Sequence, residues 1–354
     1  MSRLDAEASY SIDRSGMLRH ILEFGTQLES GWRRWQGLEL PAGGSPGPRR
    51  IVVAGMGGSG SGGDYLQAVC RDIAPRPVHV VRGYRLPEHV GSDALVVILS
   101  HSGETGEMLS CYEDARRRGA ALVVGTGGGE LGRRAAADGV PLFRIDYDSP
   151  PRAALPHFLA FLLRVAERED TAGVGDNAVA RAAEAHRRLV EQSLGPEWPS
   201  MSNPAKQLAE ATASRRPIIV AAEHLTAVAT RFKNQLAENA KQLATSESLP
   251  EAAHNLVVGL CIEGASEDHP LDLVTLESDL YDPRMQQLFE STVRLCQESG
   301  CRVHRVRLEG GDLLSDLTAG TAWADLTSYY AAILRGIDPT PIREIEQLKN
   351  GMLG

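Results

Sequence analysis

Two short segments of this chain place glycines and hydroxyls where an apolar run stops. The first is GMGGSGSGG, Gly55 to Gly63, continuing the run IVVAG that starts at Ile51. Glycines let a backbone turn tightly and bring N–H groups and a helix N-terminus close to an anion. The second is SHSGET, Ser100 to Thr105, at the end of ALVVILS. Ser100, Ser102 and Thr105, together with the N–H groups of a helix start, make a neutral cradle for phosphate oxygens, and the helix dipole favours the negative charge. Ordinary capping by Ser102 explains one hydroxyl. It does not explain three around a glycine. In an open α/β sheet both segments fall at strand C-terminal ends, where ligands bind.

The glycine segment also contains GxGxxG at Gly55, Gly57 and Gly60, so a dinucleotide fold is a rival. That fold wants an acid at the end of the next strand. The chain has VVRGY there, with Arg82 and no carboxylate. No GK[ST] occurs, which removes a Walker A loop. The sequence-based expectation is therefore a phosphate site in which Gly58 and Ser59 join Ser100, Ser102 and Thr105.

The elements that must position these residues are read from periodicity. Short β-branched runs at Ile51–Gly55, Val78–Tyr84, Ala94–Ser100, Ala121–Thr126 and Val140–Ile145 alternate with helical stretches from about Ser61 to Asp72 and from Glu104 to Arg118. That rhythm means βαβ units and a mostly parallel sheet with helices on both faces. Before it, Met17, Leu18, Ile21, Leu22, Phe24 and Leu28 have helical spacing, and a Gly/Pro loop at 43–48 follows. Helices are expected over Arg152–Glu169 and Asn177–Gln192, and from about Thr226 to Gln242. The second half then repeats the first in outline. PIIVAAEH matches IVVAG, LDLVTLES matches ALVVILS, and a helix ending near Gly300 leads to CRVHRVRL as the helix ending near Gly119 leads to ALVVGT. Where the first copy has glycines and hydroxyls, the second has AEHLTA and ESDLYD, so one copy is equipped for an anion and the other is not. Two helices, Leu326–Leu334 and Pro341–Leu348, close the chain around GIDPTP.

Composition bounds the rest. The chain has 354 residues, net charge −9, 42% hydrophobic and 23% charged residues. This can bury a large core and is neither disordered nor collagen-like. The acidic balance argues against a dedicated nucleic-acid binder. No stretch of about 18 apolar residues exists to span a membrane, and the N-terminal segment has no apolar signal core. Five scattered cysteines without a CxxC read as ordinary thiols in a reducing cytoplasm. His79, His101, His157, His269 and His304 show no ligand spacing, and no metal or redox cofactor is expected.

Strand–SxSGxT–helix, with GxGGSG one sheet crossing earlier, resembles the SIS (sugar isomerase) phosphosugar-binding domain. RFKNQLAENAKQLATSESLPEAAHN, Arg231 to Asn255, is similar to the RxKxQxxENxK…PExxHN block of the bifunctional phosphoglucose/phosphomannose isomerases, as is YYAAILRGIDPTPIREIEQLK, ending at Lys349. The resemblance covers nearly the whole chain. It implies an α/β protein of two SIS-type subdomains, each a mostly parallel sheet flanked by helices. Residues 1–170 would hold an N-terminal helix and the first subdomain with the phosphate loops, 171–338 the second, and 339–354 a helix carrying Lys349. The chain departs from the family at His101 and Glu104, where an aromatic and an amide are frequent, and at Leu256, where an acid often follows HN. Glu104 beside a phosphate would repel it, so its side chain is expected to face a helix start or solvent.

The resemblance also implies roles. Glu238 would be the base that shuttles a proton between C1 and C2 of an open-chain sugar, a task suited to one carboxylate on one face of a cis-enediol. His254 and Lys349 would open the ring, with His254 reaching across a homodimer that shares its active sites. Arg152, a cation unfavourably placed at a helix start, would stabilise the enediolate. The implied activity is metal-independent interconversion of glucose 6-phosphate, and of mannose 6-phosphate, with fructose 6-phosphate in the cytoplasm. A non-catalytic phosphosugar sensor is the alternative; it has no use for Glu238, His254 and Lys349 together. A nicotinamide-dependent dehydrogenase is a further rival, and glutamine-dependent amination would need an N-terminal Cys that MSRLDAEA lacks.

Overall fold

The computed structural model describes residues 2–41, 48–171, 173–263, 266 and 271–351, without the side chains of 349 and 350. His269 and most of the Gly/Pro loop at 43–48 lie outside these residues. In chain order the elements are α1 (Met17–Leu22), α2 (Phe24–Arg34), β1 (Arg50–Gly55), α3 (Gly57–Cys70), β2 (Val78–Val81), β3 (Ala94–Ser100), α4 (Gly106–Arg117), β4 (Ala121–Thr126), α5 (Gly129–Ala137), β5 (Leu142–Arg144), α6 (Leu155–Arg168) and α7 (Asp176–Leu189). There follow α8 (Pro204–Thr212), β6 (Arg216–Ala222), α9 (Thr226–Ala240), β7 (Thr245–Leu249), α10 (Leu256–Glu263), β8 (Leu271–Ser278), α11 (Pro283–Glu298), β9 (Arg302–Leu308), α12 (Leu313–Arg335) and α13 (Arg343–Gly351).

The chain forms two compact units. One comprises 23–184 with 313–315, the other 1–22, 185–312 and 316–354. The sequence-based division at 170/171 falls ahead of this boundary, which lies inside α7, and the first 22 residues group with the later unit. In the first unit a fully parallel sheet has the order β2-β1-β3-β4-β5. Every residue of β3 is buried, which is why ALVVILS reads as one continuous apolar run rather than an alternation. Helix α3 starts at Gly57, so most of the glycine segment is helix and not a loop ahead of one. The reason is packing: a Cβ on Gly63 would come within 3.0 Å of Val53 and 3.2 Å of Val80, so only glycine lets α3 lie this close to the sheet.

The second unit has a parallel sheet of order β7-β6-β8-β9. This is the order β2-β1-β3-β4 again, so the duplication is present in topology. Each copy ends its corresponding helix alike, with Ala120 N–H donating to Ala115 C=O (3.1 Å) and Cys301 N–H to Cys296 C=O (2.9 Å). Four elements carry no expectation above: α5, α8, α10 and β7. β7 is the edge strand TSESL, polar and half-exposed, with no apolar run to betray it. Helix α12 begins well before the expected Leu326 and is buried over most of its length. Among the described residues no helix is long and apolar enough to cross a membrane.

Residues 1–22 are held to their unit by a buried cation. Lys206 is 1% exposed, and its Nζ donates to the carbonyls of Leu4 (3.0 Å), Pro196 (2.9 Å) and Trp198 (2.7 Å). The Asp5 carboxylate accepts from Ser200 N–H at 2.8 Å and is drawn below the usual range chiefly by that bond. Lys206→Ala would strand three carbonyls and loosen the N-terminal turn, lowering stability by about 2–4 kcal/mol. Urea unfolding of the variant against the parent chain measures this.

Candidate functional site

The hydroxyl segment folds as a tight turn between β3 and α4. Ser100 Oγ and Thr105 Oγ1 share a hydrogen bond of 2.9 Å, and Gly103 N–H donates to Ser100 Oγ at 3.1 Å. Glu104 N–H donates to Ser102 Oγ at 3.2 Å. Thr105 is the N-cap residue of α4, so the open amides of the first turn point out beside these hydroxyls. Gly103 is indispensable here: its φ is +71°, and a Cβ would stand 1.8 Å from Gly128 O. Leu131 N–H closes the same contact by donating to Gly103 C=O at 2.9 Å.

Two departures from the family pattern find structural partners. Glu104 Oε1 accepts from Glu130 N–H at 2.9 Å in the first turn of α5 and lies 3.7 Å from the Arg133 guanidinium. Its charge faces a helix start, as expected. The His101 ring contacts Tyr147 C=O at 3.2 Å through Nε2, and burial lowers its pKa. His101 and Ser102 border an open depression of about 530 Å³ lined also by Gly127–Gly129 and residues 145–148.

The glycine segment lies at the end of β1, beside β3 in the sheet. β1 leads to β2 on one side and β3 pairs on the other, so the two segments flank the point where strand order reverses. Gly58 packs directly on the turn Pro151–Ala154 ahead of α6. A Cβ there would meet Pro151 O at 2.6 Å and Arg152 Cα at 2.7 Å. The structure therefore brings Gly58, Ser59 and Arg152 together, and the last two are deeply buried (4% and 2% exposed). Directly after β2, Arg82 takes the place of the acid that a dinucleotide fold needs, and it pairs with Asp64 of α3.

Glu238, His254 and the backbone of Lys349 belong to the other unit. Glu238 is half-buried on α9. Its helix is held by a polar stripe whose role the sequence alone does not show. Arg231 pairs with Asp325 of α12 through Nε (2.9 Å) and Nη2 (2.6 Å), Gln235 donates to the same carboxylate (2.8 Å), and Asn239 donates to Ser328 Oγ (3.0 Å). Arg231, Gln235 and Asn239 are four residues apart, hence on one face. Asn239 is thus a packing residue, and Glu238 stands at the edge of the stripe. Lys241 ends α9 in a left-handed conformation. Sequence reasoning misses Asp325; the i, i+4, i+8 polar spacing on α9 demands a polar partner, but α12 carries several buried polar residues, so nothing in its own sequence singles Asp325 out.

His254 closes a short turn, Glu251–His254, and is exposed. Asn255 beside it donates to Glu251 (2.8 Å) and accepts from Leu256 N–H (2.6 Å), so the amide starts α10 where the family has an acid one position on. Lys349 lies in α13; its side chain is outside the described atoms. At the reversal point of the second sheet, polar side chains bond one another. Ser278 and His224 (3.1 Å) both bond the Asp316 carboxylate, which also accepts from Gly310 N–H at 2.7 Å. A buried carboxylate makes this point unfavourable for an anion.

A parallel sheet with hydroxyl and glycine turns at its reversal point fits an SIS-type domain. Residues 47–136 match the SIS domain family, and residues 201–352 match the bacterial phospho-glucose isomerase C-terminal SIS domain. Bifunctional phosphoglucose/phosphomannose isomerases of Caldicellulosiruptor bescii and Pyrobaculum aerophilum are each 32% identical over 305 residues, covering 85% of this chain and 88% and 86% of theirs. The chain belongs to the bifunctional phosphoglucose/phosphomannose isomerase family. A solved hypothetical protein from Thermus thermophilus shares the fold, with a TM-score of 0.75 at 17% identity over 99% of this chain and 94% of that one.

The Gly58 contact makes a direct prediction. Gly58→Ala forces the Arg152 turn to move, at an expected cost of about 1–3 kcal/mol in stability. Urea unfolding of parent and variant checks it.

Proposed function

We propose that this chain is a metal-independent aldose–ketose isomerase that interconverts glucose 6-phosphate and mannose 6-phosphate with fructose 6-phosphate. Gly58, Ser59, Ser100, Ser102 and Thr105 hold the phosphate through amides, hydroxyls and two helix N-termini. His254 and Lys349 open the ring. The Glu238 carboxylate takes a proton from C1 of the open-chain ketose and returns it to C2 of the resulting enediolate, while the hydroxyl proton shifts between the two oxygens. Arg152 meets the negative charge that develops on those oxygens. A mannose product requires rotation about the C2–C3 bond of the enediolate, so that the same carboxylate delivers the proton to the other face of C2.

The observation that carries this reading is the lock on α9. A sensor has no need to fix the rotation of a helix so that one carboxylate stays half-buried at the edge of a polar stripe; a base for carbon acids does. Incubation with fructose 6-phosphate in D2O is expected to place deuterium at C2 of the aldose. Glu238→Gln is expected to lower kcat by about 10³-fold with little change in KM. Binding with neither exchange nor turnover by the parent chain would make it a sensor instead.

We also infer a homodimer with shared active sites, acting in the cytoplasm where hexose phosphates are made and used. Support comes from α10, LVVGLCIE, which directly follows His254 and leaves Val258 and Ile262 61% and 74% exposed. Such an apolar helix beside a ring-opening residue suits a second copy of the chain. Val258→Glu with Ile262→Glu is expected to halve the mass seen by sedimentation equilibrium and to lower kcat. An unchanged mass contradicts the dimer surface.

A further inference from the structure

We propose that Lys241 is a positioning residue for the isomerase reaction, tying the turn that carries Glu238 to the segment that leads into α13. The inference rests on the reading of Glu238 and Lys349 given above and deepens it.

Lys241 is the C-cap of α9, with φ +53° and ψ 37°. That left-handed conformation is unfavourable for any residue with a Cβ and accessible without strain to glycine, which is the usual occupant of this position. A cap alone would therefore be better made by glycine. The lysine side chain explains the choice. Its Nζ donates back to Glu238 C=O at 2.5 Å and across to Pro339 C=O at 3.4 Å. The first bond satisfies a carbonyl that the helix end leaves open, on the very residue proposed as base. The second reaches GIDPTP, between α12 and α13.

The backbone of Lys241 is gripped as well. Its N–H donates to Leu236 C=O, and Arg335, the last residue of α12, reaches its C=O at 3.5 Å. Next to it, Gln242 Nε2 donates to the carbonyls of Thr212 (2.7 Å) and Arg215 (3.0 Å). Three chain segments thus meet at the end of α9. This matters because α13 is not fixed by burial: its described side chains from Arg343 to Leu348 are all exposed. The place of the helix bearing Lys349 is set by the contacts of the segment before it, in which Pro339 is buried. The ammonium group links that segment to the proposed base.

The test uses the full chain with Lys241→Met, Lys241→Gly and Lys241→Arg. For each, kcat and KM for fructose 6-phosphate are measured together with Tm. Met removes the donors and keeps the stem; Gly removes the donors and relieves the left-handed backbone; Arg keeps a donor of similar reach. The expected result is a loss of kcat of about tenfold or more in the Met and Gly variants, with KM changed less than about threefold, and recovery of most of that loss in the Arg variant. Lys241→Gly is expected to keep the parent Tm, which separates positioning from folding. Parent-like kcat in the Met or Gly variant overturns the proposal, as does a kcat loss that Arg does not restore. An inactive parent chain overturns the isomerase reading itself, and is seen before any variant is compared.

Discussion

The contact between α9 and α12 is the constraint on which the second unit depends. The Arg231–Asp325 pair is almost wholly buried, with both side chains 3% exposed. Such a pair adds little net stability, because desolvating two charges offsets most of their attraction. Its value lies in geometry. The bidentate fork accepts one orientation, Gln235 completes the carboxylate, and Asn239 repeats the hold one turn further on. With three rungs fixed, α9 cannot rotate, and Glu238 keeps its place at the edge of the stripe. Apolar residues in the same rungs would pack as well and leave the rotation less determined.

The first unit solves a different problem with glycine. Backbone atoms must approach each other where an anion is to be met by N–H groups. Gly58 allows the turn at Arg152 to touch the start of α3, and Gly103 allows the turn after β3 to touch Gly128. Both contacts are closer than any Cβ tolerates. The duplicated sheet shows the contrast. It has the same strand order, yet Ser278, His224 and Asp316 bond one another at its reversal point. One copy has glycine and hydroxyl turns at this point, and the other has buried polar side chains bonded around a carboxylate.

Much of this is legible in the sequence. The strands β3 and β4 have the expected bounds because buried parallel strands are unbroken apolar runs; β8 has them although Asp272, Thr275 and Glu277 interrupt its apolar residues, because it takes the place of ALVVILS in the duplicated pattern. The hydroxyl turn is legible because three side chains of one type sit after such a run. The start of α3 is not, because glycine spacing says nothing about whether a segment turns or coils; the close approach of Gly63 to Val53 and Val80 decides it. β7 is invisible because TSESL is an edge strand with polar residues on both faces. Only the last part of α12 reads as helix because Gly320 interrupts its propensity, while a Cβ there would stand 2.9 Å from Val228, so the glycine serves packing. Asp325 cannot be found from its neighbours in sequence, since its partner is 94 residues away.

The most direct test of the account is a crystal structure with a five-carbon hydroxamate phosphate, which mimics the enediolate. The account predicts its phosphate on Ser100, Ser102 and Thr105, with the Glu238 carboxylate within about 3.5 Å of the atoms standing for C1 and C2. A bound phosphate at those hydroxyls with the carboxylate farther from them than a six-carbon chain can reach, from either subunit, would contradict it.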